Sequence, residues 1–156
     1  MGDVTTFATG HPIMVNNGPT MTFTASGTIT AGQVVAIDAT GESMVVRAAV
    51  AESGESPIGV ALTSASSGEA VTVALPGAVC YMVNALDDTD IDAGSFLETN
   101  DNAIGGTVNA VNEAASGGAT GVLHPLVIGK AIQDIPKSSY GLAIISYSPL
   151  TQANSS

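Results

Sequence analysis

Pro57-Ile58-Gly59-Val60-Ala61-Leu62, Ala70-Val71-Thr72-Val73-Ala74-Leu75 and Ala78-Val79-Cys80-Tyr81-Met82-Val83 decide the fold class. Each run has the length of a strand and is rich in β-branched residues, and Pro76-Gly77 punctuates the last two as a turn. The pattern extends upstream. Met21-Thr22-Phe23-Thr24-Ala25 alternates apolar and polar residues, as a half-buried strand does. Gln33-Val34-Val35-Ala36-Ile37-Asp38, the turn Ala39-Thr40-Gly41-Glu42 and the return Met44-Val45-Val46-Arg47-Ala48 read as a hairpin. With 18 Gly and 7 Pro, few windows are long enough for a helix. Short strands at this spacing predict an all-β chain, a small barrel or a sandwich.

The two halves carry a weak internal repeat. Thr30-Ala31-Gly32-Gln33-Val34-Val35 corresponds to Asp92-Ala93-Gly94-Ser95-Phe96-Leu97, and Ile58-Gly59-Val60-Ala61-Leu62 to Ile128-Gly129-Lys130-Ala131-Ile132. The second copy is 8 residues longer between these marks, which places an insertion in the Gly-rich stretch from Asn112 to Gly121. Each copy ends in a β-rich segment, Val71 to Leu75 and Leu142 to Tyr147. Two copies are too few for a solenoid, so two strand sets closing one barrel is the expectation.

A chain of 156 residues is one domain's worth, long enough to hide about 70% of its unfolded surface without staples. Charged residues are 11% of the chain, against about 25% in an ordinary soluble domain. The net charge of −11 leaves Arg47, Lys130 and Lys137 as the only Lys or Arg side chains, too few to neutralise a phosphate backbone. Nucleic acid and anionic membrane are therefore excluded as expected partners. No run of about 18 apolar residues occurs, and the N-terminus lacks the basic and apolar regions of a secretory signal. Gly2 and Thr6 match the loose myristoylation pattern, which is too short to carry weight. Cys80 is the sole cysteine and sits among apolar residues, which predicts a buried thiol.

Catalytic material is thin. His11 lies in the turn-rich N-terminus and His124 precedes Pro125, and neither has a companion nucleophile in a recognisable motif. No Gly-x-Ser-x-Gly elbow occurs, and Gly117-Gly118-Ala119-Thr120-Gly121 lacks the Lys of a phosphate loop. Asp87-Asp88-Thr89-Asp90-Ile91-Asp92 begins like a calcium loop. Counted from Asp88, however, its sixth position is Ala93 and its twelfth Thr99, so a solvated acidic turn is expected. Asn100-Asp101-Asn102 reads as a turn tip, and the three Tyr and three Phe as packing residues. No catalytic residue, metal site or cofactor is expected.

Residues 1–20 differ in character from the rest of the chain. Gly10-His11-Pro12 and Asn16-Asn17-Gly18-Pro19 are turn clusters flanking the apolar Ile13-Met14-Val15, which suits either a barrel strand or an extended arm. The expected organisation is an N-terminal arm over 1–20, a β-domain over 21–150 and a frayed polar tail over 151–156.

Ala31-Gly32-Gln33-Val34-Val35, Pro57 to Leu62, Ser67-Gly68-Glu69 through Leu75, Gly77-Ala78-Val79 and the second Asp92-Ala93-Gly94 occur in this order. Over roughly residues 20–147 this set resembles the head-stabilising or cement proteins that decorate the capsids of tailed viruses and prophages. Gln33 stands where that family more often has Asp or Glu, and the Gly-rich insertion before His124 is unusual. The resemblance implies a β-barrel or β-tulip-like domain with an extended N-terminal arm, carried as a homotrimer on the outer capsid surface of the virion after synthesis in the host cytoplasm. Its implied partner is the major capsid protein, and its implied role is to clamp neighbouring subunits. Phe7, Ile13, Met14 and Val15 are the residues expected to form the capsid-binding arm, since an extended segment can add a strand to a partner's sheet edge. A tail or fibre component and a carbohydrate-binding β-module are the competing expectations.

Overall fold

The structure, a computed structural model, describes residues 13–38, 44–49, 57–84, 90–99, 106, 108–110 and 127–146. Phe7, His11, the turn Ala39 to Glu42, Asp87 and Asp88, Asn100 to Asn102, the stretch from Asn112 to Gly121, His124 and the tail 151–156 lie outside them. Among the described residues the chain is all-β: β1 (Thr20–Ala25), β2 (Val34–Ile37), β3 (Val45–Ala48), β4 (Pro57–Ala61), β5 (Ala70–Ala74), β6 (Val79–Val83), β7 (Phe96–Thr99), β8 (Val108–Ala110), β9 (Val127–Ala131) and β10 (Tyr140–Ile145). No helix among them is long and apolar enough to cross a membrane.

The first five strands close a barrel in the order β1-β3-β2-β4-β5. β1 runs antiparallel to β5 and parallel to β3, where Thr24 faces Val45. The last five form a second sheet in the order β6-β10-β9-β7-β8, whose outer strands meet at a parallel bridge between Asn84 and Val108. This corrects the expectation that the two strand sets share one barrel. The parallel return of β1 onto β3 completes the first ladder before β6 begins, so the second set has to build its own.

The repeat foreseen from the sequence is present down to its irregularities. Ile29 bridges Ala65 as Ile91 bridges Ile135. The Gly32 N–H donates to the Ala61 carbonyl, and the Gly94 N–H to that of Ala131, each at 2.8 Å. Val35 pairs with Gly59 and Leu97 with Gly129, and the register slips immediately after Val35 and after Leu97. Glycine is required opposite these bulges because the backbones come too close for a side chain. A β-carbon on Gly59 would collide with the Ala74 carbonyl oxygen, and one on Gly129 with that of Ile144.

Period-two alternation then sorts the side chains. Phe23, Val35, Val46, Ala61, Val71 and Val73 fill the first barrel. Their neighbours Val34, Val60 and Ala74 point outward, yet each is fully buried. They join Cys80, Ile128 and Ile145 of the second unit in a common core. The outer wall of the first barrel thus covers the end of the second unit where β6 begins and β10 finishes. A backbone clasp fixes the seam: the Val34 N–H donates to the Gly106 carbonyl at 3.0 Å, and the Gly106 N–H to that of Ala49 at 2.8 Å. Each Val fully withdrawn from water contributes about 1.5–3 kcal/mol, so the seam is a substantial part of the fold.

Candidate interaction surface

The described part of the N-terminal segment pairs with the second unit. Met14 bridges Cys80 in antiparallel fashion, the Val15 N–H donates to the Val79 carbonyl at 2.9 Å, and the Tyr81 N–H donates to that of Ile13 at 3.0 Å. Asn16 extends this pairing with its side chain: Nδ2 donates to the Gly77 carbonyl at 3.2 Å, and Oδ1 accepts from the Val79 N–H at 2.9 Å. Ile13 is buried in the common core, Met14 is half-buried against it, and Val15 is exposed. Ile13 to Val15 thus lie along the edge of β6 through one isolated bridge and its flanking hydrogen bonds.

Two of the residues singled out for chemistry, Cys80 and Asp90, lie among the described residues with a structural role. Burial pushes the Cys80 thiol up from its ordinary 9.0 to about 12, so it stays protonated and unreactive at neutral pH. Asp90 accepts the Lys137 N–H at 2.9 Å, and Asp134 accepts the Ala93 N–H at 2.9 Å. Ser64 does the same for Ala31 in the first copy, at 3.0 Å, which identifies the Asp134 bond as a turn device. Gln133 and Thr63 are likewise matched, each accepting the N–H of the following strand, from Leu142 and Thr72. No group of three His, Cys, Asp or Glu side chains is gathered as a metal ligand set among the described residues.

What the surface offers is apolar. Met21, Met44, Phe96 and Ile132 are exposed alongside Val15, with Ile132 half open to solvent. Phe96 departs from the expectation that the aromatics pack inside. Its ring lies under the Lys130 ammonium, 5.3 Å from centroid to nitrogen. Tyr81 and Tyr140 do pack, with ring centroids 5.6 Å apart. Along any one strand, none of these exposed residues stands out. Superposing the two copies of the repeat is the signal that separates them, because Phe96 then falls on Val34 and Lys130 on Val60. Exposed apolar residues on sheet surfaces offer area for association.

No protein-family model matches this sequence, and no curated protein does. Among solved structures, the chain is similar to the crystal structure of the head fiber gp8.5 N base in bacteriophage phi29. The two are 22% identical, with a TM-score of 0.54, over 90% of this chain and 100% of that one. At this identity the likeness establishes a shared fold.

Proposed function

We propose that the chain is a structural component of a tailed-virus head, attached to the outer surface of the capsid, where it clamps neighbouring major capsid subunits. The observation that carries this reading is the fold shared with a phage head-fibre base over nearly the whole chain. The charge supports it. A protein of net charge −11 is repelled by packaged DNA, so the outer face of the shell is the favourable one. The reading includes no catalytic step and no cofactor. It gives the protein a homotrimeric form on the shell and an N-terminal arm over 1–20 as the element that reaches the capsid, with Val15 its exposed apolar residue among the described ones.

Co-sedimentation with expanded shells of the source virus, counting bound copies per capsid subunit, tests it. Saturation near one copy per subunit is the expected result. The absence of binding by folded protein would overturn it. The same structural neighbour favours a second reading, in which the chain is the base of a fibre. A fibre base would saturate at a small number of discrete positions per shell and would show projecting density there by electron microscopy.

A further inference from the structure

The duplication gives each unit one wall and one end, and the chain uses only half of them. In the first unit the wall is the cross-strand row Val34–Val60–Ala74, flanked by Leu62, and all of it is packed in the common core. In the second unit the same register gives the row Phe96–Lys130–Ile144, flanked by Ile132. Here Phe96, Lys130 and Ile132 are exposed and Ile144 is half-buried. The row keeps apolar side chains on either side, with Phe for Val and Ile for Ala, and carries Lys130 in place of Val60 between them; nothing in the chain covers it among the described residues.

The ends show the reverse. In the second unit, Cys80 and Gly106 lie at the end that the first unit's wall covers. Their counterparts at the free end of the first unit are Met21 and Met44, 48% and 45% exposed. Gly106 and Met44 share a positive φ, 83° and 64°, which marks them as the same turn in the two copies. The edge of β6 at the covered end carries Ile13 to Val15, whereas β1 meets β3 only at Thr24 and Ala25, so its edge at Thr20 and Thr22 has no strand beside it among the described residues. Among the described residues, four of the five large exposed apolar side chains thus fall on one wall and one end, Phe96 and Ile132 on the first and Met21 and Met44 on the second.

We propose that these two surfaces bind each other between copies of this chain, with the Phe96–Ile132 wall of one copy covering the Met21–Met44 end of the next. The contact repeats, head to tail, the packing that already joins the two units within the chain. The larger wall residues Phe96 and Ile144 fill the space that Ile13 takes at the internal seam. Met44 and Ser95 stand where the internal seam has Gly106 and Gln33; a β-carbon at Gly106 would collide with that of Gln33, so the close approach of this corner is not repeated and the copies stand further apart there. Such a heterologous contact gives a ring when the rotation between successive copies closes, and a filament when it does not. The proposal rests on the duplicated fold alone and is independent of the virion reading.

The test is the mass of the full chain in solution by sedimentation velocity over a wide concentration range, with no capsid present. Two variants place a charge on exposed positions, Ile132→Asp on the wall and Met21→Asp at the end, and circular dichroism checks that each folds. The wild type is expected to self-associate, and each variant alone to associate at least about a hundredfold more weakly, because a charge would have to give up its water in the contact. Mixed, the two variants are expected to form a dimer that grows no further, since one keeps an intact end and the other an intact wall. A wild type that stays monomeric at every concentration overturns the proposal. So does association that survives either variant, which would place the contact elsewhere, or a mixture that does not recover the dimer.

Discussion

A β-carbon on Gly141 would lie 2.8 Å from Cγ1 of Ile135, so the isoleucine occupies the space that a side chain at position 141 would need. The corresponding residues of the first unit are Val71 and Ala65, both buried in that barrel. The two copies have exchanged volume: a large residue on the strand faces a small one on the loop in the first, and the reverse holds in the second. Close-packed interiors enforce such exchanges, because a single added methylene is felt by its neighbours.

Gly141→Val is therefore expected to destabilise the protein by about 1–3 kcal/mol through overpacking. Ile135→Ala is expected to cost about 2–5 kcal/mol through the cavity it leaves. Together they recreate the pair found in the first unit, and the double variant should be more stable than the sum of the single effects by at least about 1 kcal/mol. Urea titration of the four proteins measures this, and strict additivity would mean that the two positions do not share space.

Gly59→Ala and Gly129→Ala are expected to be equally damaging, since each introduces a collision with a carbonyl oxygen across the sheet. Both should fall in the severe class, more than about 4 kcal/mol, or fail to fold. Expression level and thermal unfolding report this. A neutral Gly129→Ala would show that β9 and β10 are further apart than β4 and β5.

Cys80 makes a pH prediction with a definite sign. Its folded pKa, about 12, lies above the ordinary 9.0, so the folded protein keeps a proton that the unfolded chain releases. The stability that this protonated thiol supports is complete below pH 9.0 and is lost as pH rises from there towards about 12. Thermal melts of wild type and Cys80→Ala across this range should converge as pH rises. The native thiol should also resist alkylation at pH 8 and react once denaturant is added.

Truncation separates the two parts of the N-terminal segment. On the reading proposed above, removal of residues 1–12 is expected to weaken capsid binding in the co-sedimentation assay. Extending the deletion through Val15 removes Ile13 from the core and exposes the β6 edge, which should lower stability by about 2–5 kcal/mol. Asn16→Ala is an intermediate case. It loses two hydrogen bonds near the surface, with an expected cost of about 1–2 kcal/mol.

Much of the architecture could be read from residue order. The runs at Pro57 to Leu62, Ala70 to Leu75 and Ala78 to Val83 became β4, β5 and β6, and the offset repeat returns in the structure as matched bulges at Val35 and Leu97, which the residues alone did not announce. The number of barrels was not legible, because it turns on β1 pairing in parallel with β3, and a parallel partner leaves no local signal. The surface was hidden for a different reason. Val34 and Phe96 are both apolar residues at the start of a strand, and only the neighbour that covers one and not the other tells them apart.

The pairing of Ile13 to Val15 with β6 has a consequence for how the molecule can be divided. The segment written before the first copy of the repeat completes the second copy. A cut at Pro76-Gly77 would therefore not return two ancestral modules. It would leave one half with an orphaned leader, and the other with a bare sheet edge and an uncapped interior. During synthesis, that leader must wait on the growing chain until β6 has emerged. The two halves are thus interlaced, and each carries a piece that the other needs to cover its edge or its core.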